Sequence, residues 1–98
     1  MITSKQRRFL KQMAQELEPT VFLGKNGLTD NIKKEMEVGF ETRELIKVKL
    51  QQGCDLSPKD VANQLAEELN AEFVQAIGHK FVLYRPSKEN RKIQLPKK

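Results

Sequence analysis

The chain has 98 residues, of which 38% are apolar and 32% charged, and its formal net charge is +5. That length suits one compact domain with a modest core, leaving no room for a second domain or a deep enclosed active site. A single cysteine, Cys54, and a single histidine, His79, exclude an internal disulfide and a Cys/His zinc set, and the polar, basic start resembles neither a signal peptide nor a membrane span. A reducing cytoplasm is the expected setting.

A capping box, Thr3 followed three residues later by Gln6, predicts a first helix. Phe9, Leu10, Met13 and Leu17 form its apolar stripe, with Arg7, Arg8 and Lys11 on the opposite side. Pro19 ends it, because the residue before a proline is pushed out of the helical region. Thr20 to Leu23 is a short β-rich run that leads into Gly24-Lys25-Asn26-Gly27. Thr29 is placed to cap a second helix bearing Ile32, Met36 and Phe40 at every fourth position, and Asp30 complements its dipole. From Leu45 to Gln51, Ile46, Val48 and Leu50 alternate with Lys47, Lys49 and Gln51, the pattern of a strand with one apolar and one cationic face. Ser57 and Pro58 open a third helix whose stripe is Val61, Ala62, Leu65, Ala66 and Leu69, with Asn70 as a left-handed terminator. Phe73 to Ile77 and Phe81 to Arg85 are two strands around a three-residue loop, Gly78-His79-Lys80. Pro86 ends the last strand. The rest, Ser87 to Lys98, reads as a basic tail in which Ile93 and Leu95 alternate as a short extra strand would.

The order α-β-α-β-α-β-β predicts an α/β fold with a mixed four-stranded sheet and packed helices, as one domain over 1–86 followed by a tail over 87–98. Right-handed crossovers place the second and third helices on one face. The first helix is free to lie on either face or at an edge. Phe22, Val82 and Tyr84 share a sheet face that, left open, would stack on bases as in RRM domains, but the first helix is expected to cover most of it.

Charge is uneven along the chain. Residues 1–50 carry ten basic and seven acidic side chains, 51–84 two and five, and 85–98 six and one. An acidic middle between basic ends fits a polar molecule with one face suited to a polyanion, although lysine and arginine also simply keep small proteins soluble. A strand running through G-x-x-G into a helix suits phosphate for three reasons. Glycine permits positive φ and close backbone approach, free N–H groups at the helix start carry partial positive charge, and Lys25 and Asn26 add donors. In KH domains such a loop clamps the RNA backbone. The loop is neither a P-loop, which needs Gly-Lys-Ser/Thr at its end, nor a dinucleotide fingerprint, which needs a third glycine. Two glycines at this spacing also occur in ordinary turns. No set of His, Cys, Ser and carboxylates falls into a catalytic pattern, so an enzyme is not expected, and neither is a cofactor.

Gln6-Arg7, Leu17-Glu18-Pro19-Thr20-Val21, Gly24-Lys25-Asn26-Gly27-Leu28-Thr29, Glu44-Leu45-Ile46-Lys47-Val48-Lys49, Gln75-Ala76-Ile77-Gly78 and Leu83-Tyr84-Arg85-Pro86 follow one another in register. Together they resemble the CRM domain (chloroplast RNA splicing and ribosome maturation) in its stand-alone bacterial, YhbY-like form. The resemblance runs from about Thr3 to Pro96. It implies a four-stranded α/β fold similar to the C-terminal domain of bacterial translation initiation factor three, and RNA binding through the G-x-x-G loop and adjacent basic surface. For stand-alone bacterial members it further implies association with precursors of the large ribosomal subunit. Related plant domains in larger proteins help splice group II introns.

The expected RNA-binding residues are therefore Gly24, Lys25, Asn26 and Gly27 in the loop, Arg7, Arg8 and Lys11 on the first helix, Lys33, Lys47 and Lys49, and Arg85. For Lys47 and Lys49 the plainer reading is protection of an edge strand. The expected partner is RNA, foremost ribosomal RNA in large-subunit precursors, bound by a cytoplasmic monomer. A non-enzymatic protein-interaction adaptor, or an RNA chaperone or splicing-type factor for other structured RNA, is the alternative.

Overall fold

A computed structural model describes residues 2–89 and 91–96. Its elements are α1 (Ser4–Gln15), β1 (Val21–Leu23), α2 (Asp30–Arg43), β2 (Leu45–Leu50), α3 (Pro58–Glu68), β3 (Glu72–Ile77) and β4 (Lys80–Tyr84), in the order read from the sequence. The sheet runs β1-β2-β4-β3. β1 and β2 are parallel, and both other pairings are antiparallel. β2 therefore lies inside the sheet, so edge protection does not explain Lys47 and Lys49.

The caps act as their side chains dictate. Thr3 and Gln6 close a reciprocal box at the start of α1, Thr29 Oγ1 accepts from the Ile32 N–H at 3.2 Å, and Ser57 caps α3 with Pro58 in its first turn. Asn70 takes φ 54 just beyond α3, ending that helix left-handed.

Two cores sandwich the sheet. On one face Met36 and Phe40 of α2 and Val61, Ala62 and Leu65 of α3 pack on Val21, Leu23, Ile46, Val48, Leu50, Phe81 and Leu83. On the other, Leu10 and Ala14 of α1 meet Leu45, Val74, Val82 and Tyr84. The position of α1 is thereby fixed opposite α2 and α3. Its buried stripe differs from the predicted one: Gln6, Leu10 and Ala14 face inward, while Met13 and Leu17 stay over a third exposed. Gln6, Leu10 and Ala14 recur at every fourth position and so share one helix face, which turns Met13 away from the sheet. The hairpin between β3 and β4 also differs. Ile77 pairs with Lys80, leaving a two-residue turn, Gly78-His79, with Gly78 at positive φ in its first central position.

Residues 87–96 do not form a loose tail. Ile93 and Leu95 pack against the α1 core without forming a strand, and the Pro96 carbonyl accepts from Gln6 Nε2 at 3.0 Å. Glu44 is the anchor. Its side chain is fully buried and accepts backbone N–H bonds from Ser87 (2.8 Å), Lys92 (2.6 Å) and Ile93 (2.8 Å). To point this way Glu44 holds φ 67 at the end of α2, a strained position for a residue with a Cβ. Burial pushes its carboxyl pKa up, but those three donors and the charge of Arg91 outweigh burial and hold it below the ordinary carboxylate range. The apolar pair and this carboxylate offset the ordering of a highly charged segment, which its composition alone does not foretell. Asn90, Lys97 and Lys98 of the expected tail, and Met1 of the expected domain, lie outside the described residues.

Candidate nucleic-acid interface

Because β1 and β2 are parallel, the Gly24–Gly27 loop and the β2–α3 loop leave the sheet at the same end. The Gln51 N–H donates to the Leu23 carbonyl (2.8 Å), and the Leu50 N–H to that of His79 (2.7 Å), which brings the β3–β4 turn alongside them. Three loops and the starts of α2 and α3 thus converge. The N–H groups of both first helical turns face this end, adding partial positive charge.

The G-x-x-G loop is a tight turn closed by the Gly27 N–H donating to the Gly24 carbonyl at 3.0 Å. Only Gly27 needs the freedom of glycine: its φ is +64, and a Cβ there would stand 3.2 Å from Leu56 Cδ1. Lys25 and Asn26 form the exposed tip. They border a groove of about 360 Å³ whose far wall is Cys54, Asp55, Leu56 and Gln64. A second hollow of about 750 Å³ adjoins it through Cys54 and is lined by Lys49, Gln51 and His79. Both are open and shallow, suited to a chain of phosphates and bases rather than an enclosed small molecule. Among the described residues no cluster of His, Cys, Asp and Glu is arranged to hold a metal ion, and no helix is long and apolar enough to cross a membrane.

The other expected residues are dispersed. Lys49 lies at the loop end, joined by Lys80 and His79, which the sequence reading passed over. A two-residue turn would have set Lys80 in β4 opposite Ile77, but its place opposite Lys49 comes from the pairing of β2 with β4, strands distant in the chain. Arg8 and Lys11 are exposed on α1, on the opposite sheet face from α2 and α3. Four cations are occupied within the fold. Arg7 Nε donates to the Phe73 carbonyl at 3.1 Å, and Lys47 Nζ to the Ala14 and Leu17 carbonyls at 3.2 and 3.1 Å, closing the end of α1. Lys33 pairs with Glu68 at 2.8 Å, an ion pair that raises the lysine pKa and lowers that of the glutamate. Arg85 is held by Glu37 (2.9 Å), Glu41 (3.2 Å) and the Leu69 carbonyl (3.0 Å), with its guanidinium 4.9 Å from the Phe40 ring centre. The exposed members of the expected set therefore lie in two places, Lys25 and Lys49 at the loop end with Lys80, and Arg8 and Lys11 on α1.

Residues 2–85 match the CRS1/YhbY (CRM) domain model. The chain belongs to the CRM family. The CRM match extends to whole relatives. "Probable RNA-binding protein YqeI" of Bacillus subtilis is 45% identical over 96 residues, covering 98% of this chain and all of that protein. A protein of Haemophilus influenzae named "RNA-binding protein" is 48% identical over 98 residues, covering 99% of this chain and 97% of its own length. Among solved structures, the solution structure of hypothetical protein SAV1595 from Staphylococcus aureus superposes with a TM-score of 0.81 at 42% identity, covering 98% of this chain and all of that one. That solved structure thus shares the mixed α/β sheet described above.

Proposed function

We propose that this protein binds structured RNA at the loop end of its sheet, with the Gly24–Gly27 turn as the principal contact, and that it acts by binding rather than by catalysis. The observation that carries this reading is the exposed Lys25-Asn26 tip, set directly before the start of α2 at the end of the sheet that also bears Lys49 and Lys80. Backbone N–H groups, a helix terminus and mobile cations meet there in an open setting, the combination that recognises phosphate by charge and shape. The names of the relatives support RNA as the ligand.

The cellular target is the precursor of the large ribosomal subunit, where a lone binding domain favours one arrangement of immature RNA over another. The CRM resemblance supports this assignment. Deleting the gene should make large-subunit precursors accumulate, and tagged protein should sediment with them. Tagged protein found only on mature ribosomes, on messenger RNA or free at the top of the gradient would contradict the ribosomal role while leaving RNA binding intact.

A further inference from the structure

α1 does not cover its whole side of the sheet. It packs on Leu45, Val74, Val82 and Tyr84, and towards the loop end one complete cross-strand row remains open. Phe22 stands opposite Lys49, Lys49 opposite Lys80, and Lys80 opposite Ile77. One residue from each strand thus lies in line on one face, across three strand spacings or roughly 14 Å. All four side chains are exposed, Phe22 by 45% and Ile77 by 68%.

This row is unfavourable as a purely solvent-facing surface. Like charges directly opposed across a ladder are destabilising, and its ends leave an aromatic ring and a large aliphatic side chain in water. An apolar protein partner would have to strip water from two adjacent ammonium groups, which is costly. A polyanion with flat faces answers both features, since phosphate offsets the opposed lysines and a base covers the ring. Direction favours it too. On the helix side of the loop the groove beside Lys25 is lined by Asp55, whereas on the sheet side the row contains no carboxylate and Lys49 borders the neighbouring hollow.

The geometry points to the row Phe22, Lys49, Lys80 and Ile77 as a platform for an unpaired stretch of RNA, with a base stacked on Phe22 and phosphates held by the two lysines. This rests on the RNA-binding reading above and extends it from the loop onto the sheet. The platform binds unpaired RNA because a base already paired in a helix has no free face to offer the ring.

The test compares a blunt RNA hairpin with the same hairpin carrying an unpaired adenine-rich extension. Wild-type protein should bind the extended probe more tightly. Phe22→Ala and Phe22→Leu should remove that advantage, a loss of roughly five- to a hundred-fold for one aromatic–base stack, while Phe22→Tyr retains it. The chain has no tryptophan, so Phe22→Trp supplies a single emitter at the site, to be quenched by the extended probe and not by the blunt one. Phe22 is half exposed, so these variants should melt like the wild type. Equal binding of the extended probe by wild type and Phe22→Ala would overturn the platform and leave the loop reading standing. Quenching that grows with protein concentration without RNA would assign the row to contact between copies of this chain and also overturn it. Failure of wild-type protein to bind either probe would remove the RNA reading itself.

Discussion

Lys25 sits at the tip of a two-residue turn with its side chain in solvent, so exchanging it should change binding without touching the core. Lys25→Glu should weaken RNA binding by ~1–3 kcal/mol, by placing a like charge beside phosphate, while the melting temperature stays within about a degree or two of wild type. RNA affinity equal to wild type in that variant would mean the loop is only a turn. Arg85 is the opposite case. Its side chain is only 16% exposed and spans Glu37, Glu41 and the Phe40 ring. The partly exposed carboxylates contribute little each, so most of the ~1–2 kcal/mol expected to be lost in Arg85→Ala comes from packing and the ring contact. Thermal melting should register that loss while RNA affinity per folded molecule is retained. The sequence could name both residues as cations but not separate them. An arginine on a strand end looks identical whether its partner is solvent, phosphate or a glutamate more than forty positions away. The exposed turn that carries Lys25 was legible because its hydrogen bond is local in the chain, whereas Lys33, Lys47 and Arg85 are held by tertiary partners.

Every helix and strand could be read from period and capping, since each cap is settled within a few residues: Thr3 with Gln6, Thr29 with Ile32, Ser57 with Asp60. What could not be read was the face on which α1 docks and the docking of residues 87–96, the latter anchored by Glu44. A glutamate between a helix and a strand resembles a surface residue until the chain returns to it over forty positions later. Two outcomes follow. Truncation after Pro86 should destabilise the whole domain, lowering the melting temperature by more than about 5 °C, because Leu45, Val82 and Tyr84 lose cover and Glu44 loses its donors. A truncated protein that melts like the full chain would show that this segment contributes nothing to the fold. Glu44→Gln should cost about 2 kcal/mol near neutral pH. The folded-state pKa of Glu44 is lowered, so its contribution is complete above the ordinary glutamate value of about 4.3 and is lost as pH falls through the folded value. Denaturant midpoints measured from pH 6 downward, in roughly unit steps, should therefore fall less steeply in Glu44→Gln than in wild type.

At the scale of the molecule, the expected RNA-binding cations that stay exposed divide between the loop end and α1, and RNA is expected at the loop end. If three to five phosphates are neutralised there, log K should fall against log salt with a slope of roughly −2 to −3.5, and affinity independent of salt would point to an apolar partner instead. The most direct measurement is amide chemical-shift mapping of isotopically labelled protein titrated with a large-subunit ribosomal RNA fragment. The shifts should concentrate at Gly24–Gly27, Lys49–Cys54 and Gly78–Lys80, three segments distant in sequence that meet at this end of the sheet. Shifts confined to α1 around Arg8 and Lys11, with those three segments unmoved, would contradict this expectation.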